Sequence, residues 1–223
     1  MYKRIINLIG EESFTKIKNT KILLVGVGGV GGFAYEALIR SGFQNITIID
    51  KDKVEITNLN RQLVATLDTL DKAKVIVAKD KALRINENIK ITAIEAFLDE
   101  NNIKTLEKDF DYIIDACDTL NAKLELIKFA SINNIKIISS MGVGNRLDAN
   151  LIKITRLDKT CNDPLAKRLR KLVKENNLNN KIPVVCSEEL PYKKGEVNSM
   201  ITSPGIAGLL MVNYIINDII KPY

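Results

Sequence analysis

Short apolar runs separated by helix-patterned segments dominate the chain. Ile22–Val25 and Tyr112–Ile114 are continuous apolar stretches, and Ile46–Ile49 is an apolar run broken only by Thr47, of the kind buried on both faces of a parallel sheet. Strands are predicted over 21–27, 45–50, 112–115 and 135–141, and alternation adds 89–97 (Ile89, Ile91, Ala93) and 151–157 (Leu151, Lys153, Thr155). Helical spacing places helices over 31–41, with Ala34, Ala37 and Leu38 inward and Gly42 as the stop, and over 71–86 and 120–133. A short helix fits 100–107, and residues 1–20 read as an amphipathic helix with a lead-in, apolar at Ile5, Ile6, Leu8 and Ile9. Strands alternating with helices imply an α/β fold with a doubly wound, mainly parallel, Rossmann-like sheet.

The last third changes character. Asp163-Pro164 opens a basic helix carrying Lys167, Arg168, Arg170 and Lys171; residues 176–181 form a polar loop, and 184–189 a short strand and turn. Residues 191–201 read as a mobile segment. An apolar helix follows Ser203-Pro204-Gly205 and runs to Ile220; Asn213, Asn217 and Asp218 on it favour a core or dimer helix over a membrane span. The expected organisation is a single domain with a core at 20–157, an insertion at 158–203 and a C-terminal helix at 204–220.

Composition narrows the chemistry. The 223 residues suffice for a full core. The chain has no histidine, and its three cysteines (Cys117, Cys161, Cys186) are far apart with no C-x-x-C pair. This excludes a structural zinc site of the usual kind, and with it the Ser-His and Cys-His nucleophile arrangements. The net charge of +6 suits either a polyanionic partner such as RNA or a generally basic protein. Met1 to Gly10 has no long apolar core, so no secretory signal is expected and a cytoplasmic location is.

Residues 25–62 hold the strongest motif. Gly26, Gly28, Gly29 and Gly31 follow the first strand, and Asp50 ends the second. Glycines let a backbone approach a phosphate, the helix N-terminus favours negative charge, and the acid accepts hydrogen bonds from ribose hydroxyls. That much fits NAD. Past Asp50, however, come Asp52, Asn58, Arg61, Gln62 and Lys74. Guanidinium and ammonium groups aimed at β- and γ-phosphates stabilise a departing pyrophosphate, so the residues point to ATP cleaved between its α- and β-phosphates. Asp52 is open between a ribose contact and a structural role.

The segments G-V-G-G-V-G, D-K-D-x-V, T-N-L-N-R-Q and D-A-C-D resemble the ubiquitin-activating-enzyme-like (ThiF/MoeB-type) adenylating superfamily over about residues 4–160. The resemblance implies conversion of a carboxylate to an acyl-adenylate with ATP and magnesium. It puts Gly28 and Gly29 at the phosphate turn, Asp50 on ribose, Asn58, Arg61 and Lys74 on the triphosphate, and Asp118 on magnesium. It places Arg4 where some relatives supply an arginine across a homodimer interface, and it implies sulfur-transfer proteins as further partners.

Lys159-Thr160, Asp163-Pro164-Leu165-Ala166 with Arg168, and Ser187-Glu188-Glu189 resemble the tRNA threonylcarbamoyladenosine dehydratase branch. Members of this branch adenylate a threonyl carboxylate beside the anticodon. Attack from within the same side chain then closes a ring and releases AMP, which needs no enzyme nucleophile. RNA phosphates would meet Lys167, Arg168, Arg170 and Lys171. The alternatives are a sulfur-carrier-protein adenylyltransferase, an NAD-dependent oxidoreductase and a non-catalytic RNA-binding module.

Overall fold

A computed structural model describes residues 1–192 and 195–221. Residues 193 and 194, two of the four undescribed, belong to the segment expected to be mobile at 191–201, and that part of the expectation lies outside the described residues. Among the described residues seven strands form one sheet: β1 (Lys21–Val25), β2 (Asn45–Ile49), β3 (Lys90–Ile94), β4 (Tyr112–Asp115), β5 (Lys136–Ser140), β6 (Ile152–Arg156) and β7 (Pro183–Ser187). Their order is β3-β2-β1-β4-β5-β7-β6, all parallel except the edge pair β6–β7. The chain winds outward from β1 to β3, then returns to the other side of β1 with β4. The crevice at that reversal is where ligands bind in open α/β sheets.

Alternate residues of each central strand feed opposite faces. Ile22, Leu24, Ile46, Ile48 and Ile114 pack with α2 (Glu11–Asn19), α3 (Gly29–Ser41), α4 (Lys74–Ile85) and α7 (Thr202–Ile220). Leu23, Val25, Ile49 and Ile113 pack with α5 (Leu120–Asn133) and α6 (Pro164–Glu175). Both faces being covered explains why these strands read as continuous apolar runs.

Several boundaries differ from expectation. Gly10, at φ 82°, splits the N-terminal helix into α1 (Lys3–Ile9) and α2. The helix expected from 71 starts at Lys74, because Asp71 is left-handed (φ 63°) and Ala73 bridges to Lys53. The helix expected at 100–107 is a single 3-10 turn, Asn102–Thr105. The segment 158–203 contributes α6 and also β7, which lies inside the sheet between β5 and β6.

The apolar C-terminal helix is α7. It is long and apolar enough to cross a membrane, yet Ala207, Met211, Val212 and Ile215 are buried in the core against the rest of the fold. It lies so close to α3 that a Cβ on Gly208 would stand 2.3 Å from the Val30 carbonyl oxygen. Gly208→Ala must push two helix backbones apart, and the expected loss is about 1–3 kcal/mol of stability, measured by urea unfolding. An unchanged midpoint would mean that this contact does not set the helix spacing.

Candidate functional site

The candidate site is built on the C-terminal ends of β1, β2 and β4. After Val25 the chain leaves the strand at Gly26, whose φ of 90° a side chain resists. A Cβ on Gly26 would meet the Ala116 carbonyl oxygen at 2.7 Å, and one on Gly31 would meet the Gly26 carbonyl oxygen at 1.8 Å. These two glycines are needed by the protein's own packing. Gly28 is different: the nearest atom to a Cβ there is Gln62 Nε2, 3.8 Å away, and the residue faces open space.

That space is a cavity of about 400 Å³. Gly26, Gly28, Gly29, Asp50, Asp52, Asn58, Arg61, Gln62, Lys74 and Asp118 all line it. Gly31 lies beneath the turn. Arg4 is exposed on α1, and neither it nor Lys167, Arg168, Arg170 and Lys171 lines the cavity.

Asp50 joins the turn to the second strand. Its Oδ2 accepts from the Val27 N–H (2.6 Å) and its Oδ1 from the Asp52 N–H (2.8 Å). A carboxylate has about four acceptor positions, so room remains for hydroxyl donors. Lys74 opens α4 and is nearly buried; its Nζ is 2.9 Å from Asp52 Oδ2, which is half exposed. Asp52 therefore holds the lysine in place, which gives it a structural role here. Arg61 follows the 3-10 turn Ile56–Asn58, which Glu55 and Asn58 cap reciprocally. Its Nη1 donates to the Thr57 carbonyl (2.8 Å) and to Asn60 Oδ1 (2.9 Å). Gln62 is buried with its Oε1 unpartnered at the cavity wall.

Asp118, also in the cavity lining, is exposed and accepts from Thr119 Oγ1 at 3.2 Å. Among the described residues no cluster of three or more His, Cys, Asp or Glu could hold a metal alone. An exposed carboxylate such as Asp118 does suit magnesium, which keeps several waters and takes further ligands from phosphates.

Sequence reading missed three parts of the site. One is the apolar wall Ala96, Phe97 and Leu98, with Lys51 Nζ 5.0 Å from the Phe97 ring centroid. Another is the rim of Val143, Gly144, Val197, Ser199 and Pro204, where Asn60 Nδ2 donates to the Ser199 carbonyl (3.0 Å). The third is Lys123, fully buried beside Asp115 under the cavity floor. A lysine on the inward face of helix 120–133 was the available signal.

Arg170 does not join the basic surface. Its Nη1 donates to the Thr160 carbonyl (2.8 Å) and to Thr160 Oγ1, so it props the turn before α6. Lys167, Arg168 and Lys171 are exposed.

The cysteines separate by burial. Cys161 is exposed and Cys186 is buried. Burial, then the Asp163 charge, pushes the Cys186 thiol up to about 11. Burial, then the Asp115 charge, pushes the Cys117 thiol well above its usual value. Both stay protonated at pH 8, and thiols react as thiolates. Brief iodoacetamide treatment of the native protein at pH 8 is expected to label Cys161 first, with Cys117 and Cys186 labelled after denaturation. Peptide mass spectrometry reads this, and equal native labelling of all three would contradict it.

The chain matches the ThiF family over residues 2–222. It is 35% identical over 233 residues to the tRNA threonylcarbamoyladenosine dehydratase of Bacillus subtilis, covering 96% of this chain and 92% of that protein. It is also 35% identical over 198 residues to the Escherichia coli enzyme of the same name, covering 85% and 74%. The crystal structure of E. coli tRNA N6-threonylcarbamoyladenosine dehydratase, TcdA, in complex with ATP superposes with a TM-score of 0.91 at 30% identity, covering 98% of this chain and 93% of that one. Cavity, glycine turn and fold thus come together in one conclusion: the chain belongs to the ThiF family, and along nearly its whole length it is similar to tRNA threonylcarbamoyladenosine dehydratases.

Proposed function

We propose that residues 1–223 act as one adenylating unit, an ATP-dependent tRNA threonylcarbamoyladenosine dehydratase. The observation that carries this reading is the shared cavity, in which Arg61, Lys74 and Asp118 surround the open space over Gly28. ATP lies with its phosphates over Gly28 and Gly29, its ribose on Asp50 and its adenine against Ala96–Leu98. Asn58, Gln62, Arg61 and Lys74 contact the triphosphate.

The threonyl carboxylate oxygen attacks the α-phosphorus, and the α–β anhydride bond breaks with its electron pair leaving on pyrophosphate. Arg61 and Lys74 stabilise the charge that develops there. Asp118 would hold a magnesium ion, which would supply positive charge at the phosphates. A group within the same side chain then attacks the activated carbonyl, and AMP departs with the oxygen that is lost overall as water. Positioning supplies most of the acceleration, which agrees with the absence of histidine. The enzyme works in the cytoplasm as a homodimer, with Arg4 reaching toward the partner's site. Sulfur-transfer proteins associate through its surface.

The reading is tested with tRNA bearing threonylcarbamoyladenosine. Incubation with ATP and magnesium should release pyrophosphate, and mass spectrometry of the anticodon-loop nucleoside should show loss of one water. Pyrophosphate release only with a small carrier protein would favour a sulfur-carrier-protein adenylyltransferase instead. Arg61→Ala and Asp118→Ala should each lower tRNA-dependent pyrophosphate release by about 100-fold or more with the fold intact by circular dichroism. Wild-type rates in either would remove that residue from the site.

Asp163 caps α6, and its Oδ2 also accepts from the Gly142 N–H (2.7 Å), next to the cavity rim. The exposed basic face of α6 therefore begins near the cavity mouth and leads tRNA phosphates away from it. Combined Lys167→Ala, Arg168→Ala and Lys171→Ala should raise the KM for tRNA and flatten its salt dependence by about one unit of slope per lost phosphate contact, with the KM for ATP unchanged. An unchanged salt dependence would place the RNA elsewhere.

A further inference from the structure

Beneath the cavity floor lies a charge pair that the mechanism above does not use. Lys123 and Asp115 are both fully buried. The lysine Nζ is 3.1 Å from each Asp115 oxygen, 2.7 Å from the Ser140 carbonyl oxygen and 3.3 Å from Ser139 Oγ. Asp115 Oδ1 also accepts from the Cys117 N–H (3.2 Å) and from Cys117 Sγ (2.9 Å), and Oδ2 accepts from Ser139 Oγ.

Stability alone is a poor reason for such a group. Removing two ions from water offsets most of their attraction, and an apolar pair of equal volume often serves as well or better. What the network does supply is geometry. Asp115 ends β4, and the next residues, Ala116 to Thr119, line the cavity and carry Asp118. Ser140 ends β5, whose continuation brings Val143 and Gly144 to the rim. Lys123 is in the first turns of α5, next to the cavity-lining Ala122. One ammonium therefore joins three segments that shape the same cavity, and the Asp115 carboxylate fixes the turn on which Asp118 is mounted.

We propose that Lys123 and Asp115 are positioning residues that hold the 116–119 turn so that Asp118 can meet a metal ion on bound ATP. This inference rests on the assignment of ATP and magnesium to the cavity. It does not depend on which carboxylate is adenylated. Outer partners that orient a metal ligand act on metal affinity more than on the rest of the ligand.

The test is the neutral double substitution Asp115→Asn with Lys123→Met, which removes both charges together and leaves no unpaired ion in the core. Manganese replaces magnesium and is titrated onto the ATP-bound protein by electron paramagnetic resonance. ATP affinity is measured separately in EDTA, and folding by thermal melting. Manganese affinity should fall by about tenfold or more, while ATP affinity in EDTA changes by less than about twofold. A folded double variant with wild-type manganese affinity overturns the proposal. So does an equal loss of ATP affinity in EDTA, or a wild-type ATP complex that binds no manganese.

Ser139→Ala is the second variant. It keeps both charges and removes one hydrogen bond to Asp115, and a smaller loss of manganese affinity in the same direction is expected. No loss there, should the double variant not fold, also overturns the proposal. Turnover of modified tRNA is assayed in parallel. Its failure with manganese and ATP bound would refute the dehydratase reading, while the metal titration would still decide the role of the buried pair.

Discussion

The Gly26 carbonyl oxygen stands where a side chain on Gly31 would have to be, and the architecture of the site depends on that contact. Because Gly31 has no Cβ, α3 can start directly against the end of β1. The backbone N–H of Val27 then reaches Asp50 at the end of β2, and Ala116 closes on Gly26 from β4. Three strand ends converge within one turn. Bulk at Gly26 or Gly31 would separate them, whereas Gly28 leaves an opening above the helix N-terminus, where anions are favoured.

Around that opening the charged groups are already placed by the protein. Asp52 orients Lys74, the 3-10 turn before Arg61 directs its guanidinium, and the buried Asp115–Lys123 pair supports the wall bearing Asp118. Groups fixed in advance need little reorganisation when charge develops beside them. The same economy appears in α7. Gly205 and Gly208 let it lie against α3, and Pro204 reaches Gly29 at the cavity wall. α7 thereby braces the glycine turn between β1 and α3.

Legibility followed the range of the interactions. Period and apolar continuity report burial, so the central strands and the helices after them were readable, and the glycine turn with its distal acid marked residues that line the cavity. Boundaries set by single conformations were not readable: Gly10 could have lain inside a helix, and only its positive φ divides α1 from α2. Arg170 shows the same limit among the charges. In sequence it matches Lys167, Arg168 and Lys171, but its position on the helix turns it toward Thr160 instead of solvent.

The order of residues by itself determined the α/β class, the chemistry available to a chain with no histidine and three isolated cysteines, and the set of cationic and acidic groups past the second strand. These follow from local periodicity and composition, which need no partner to be read. Only the tertiary structure decided that β7 enters the sheet between β5 and β6, that Gly28 faces open space while Gly26 and Gly31 do not, and that Lys123 is buried on Asp115. Each of these depends on atoms from distant segments meeting within a few ångströms, and no spacing along the chain encodes such meetings.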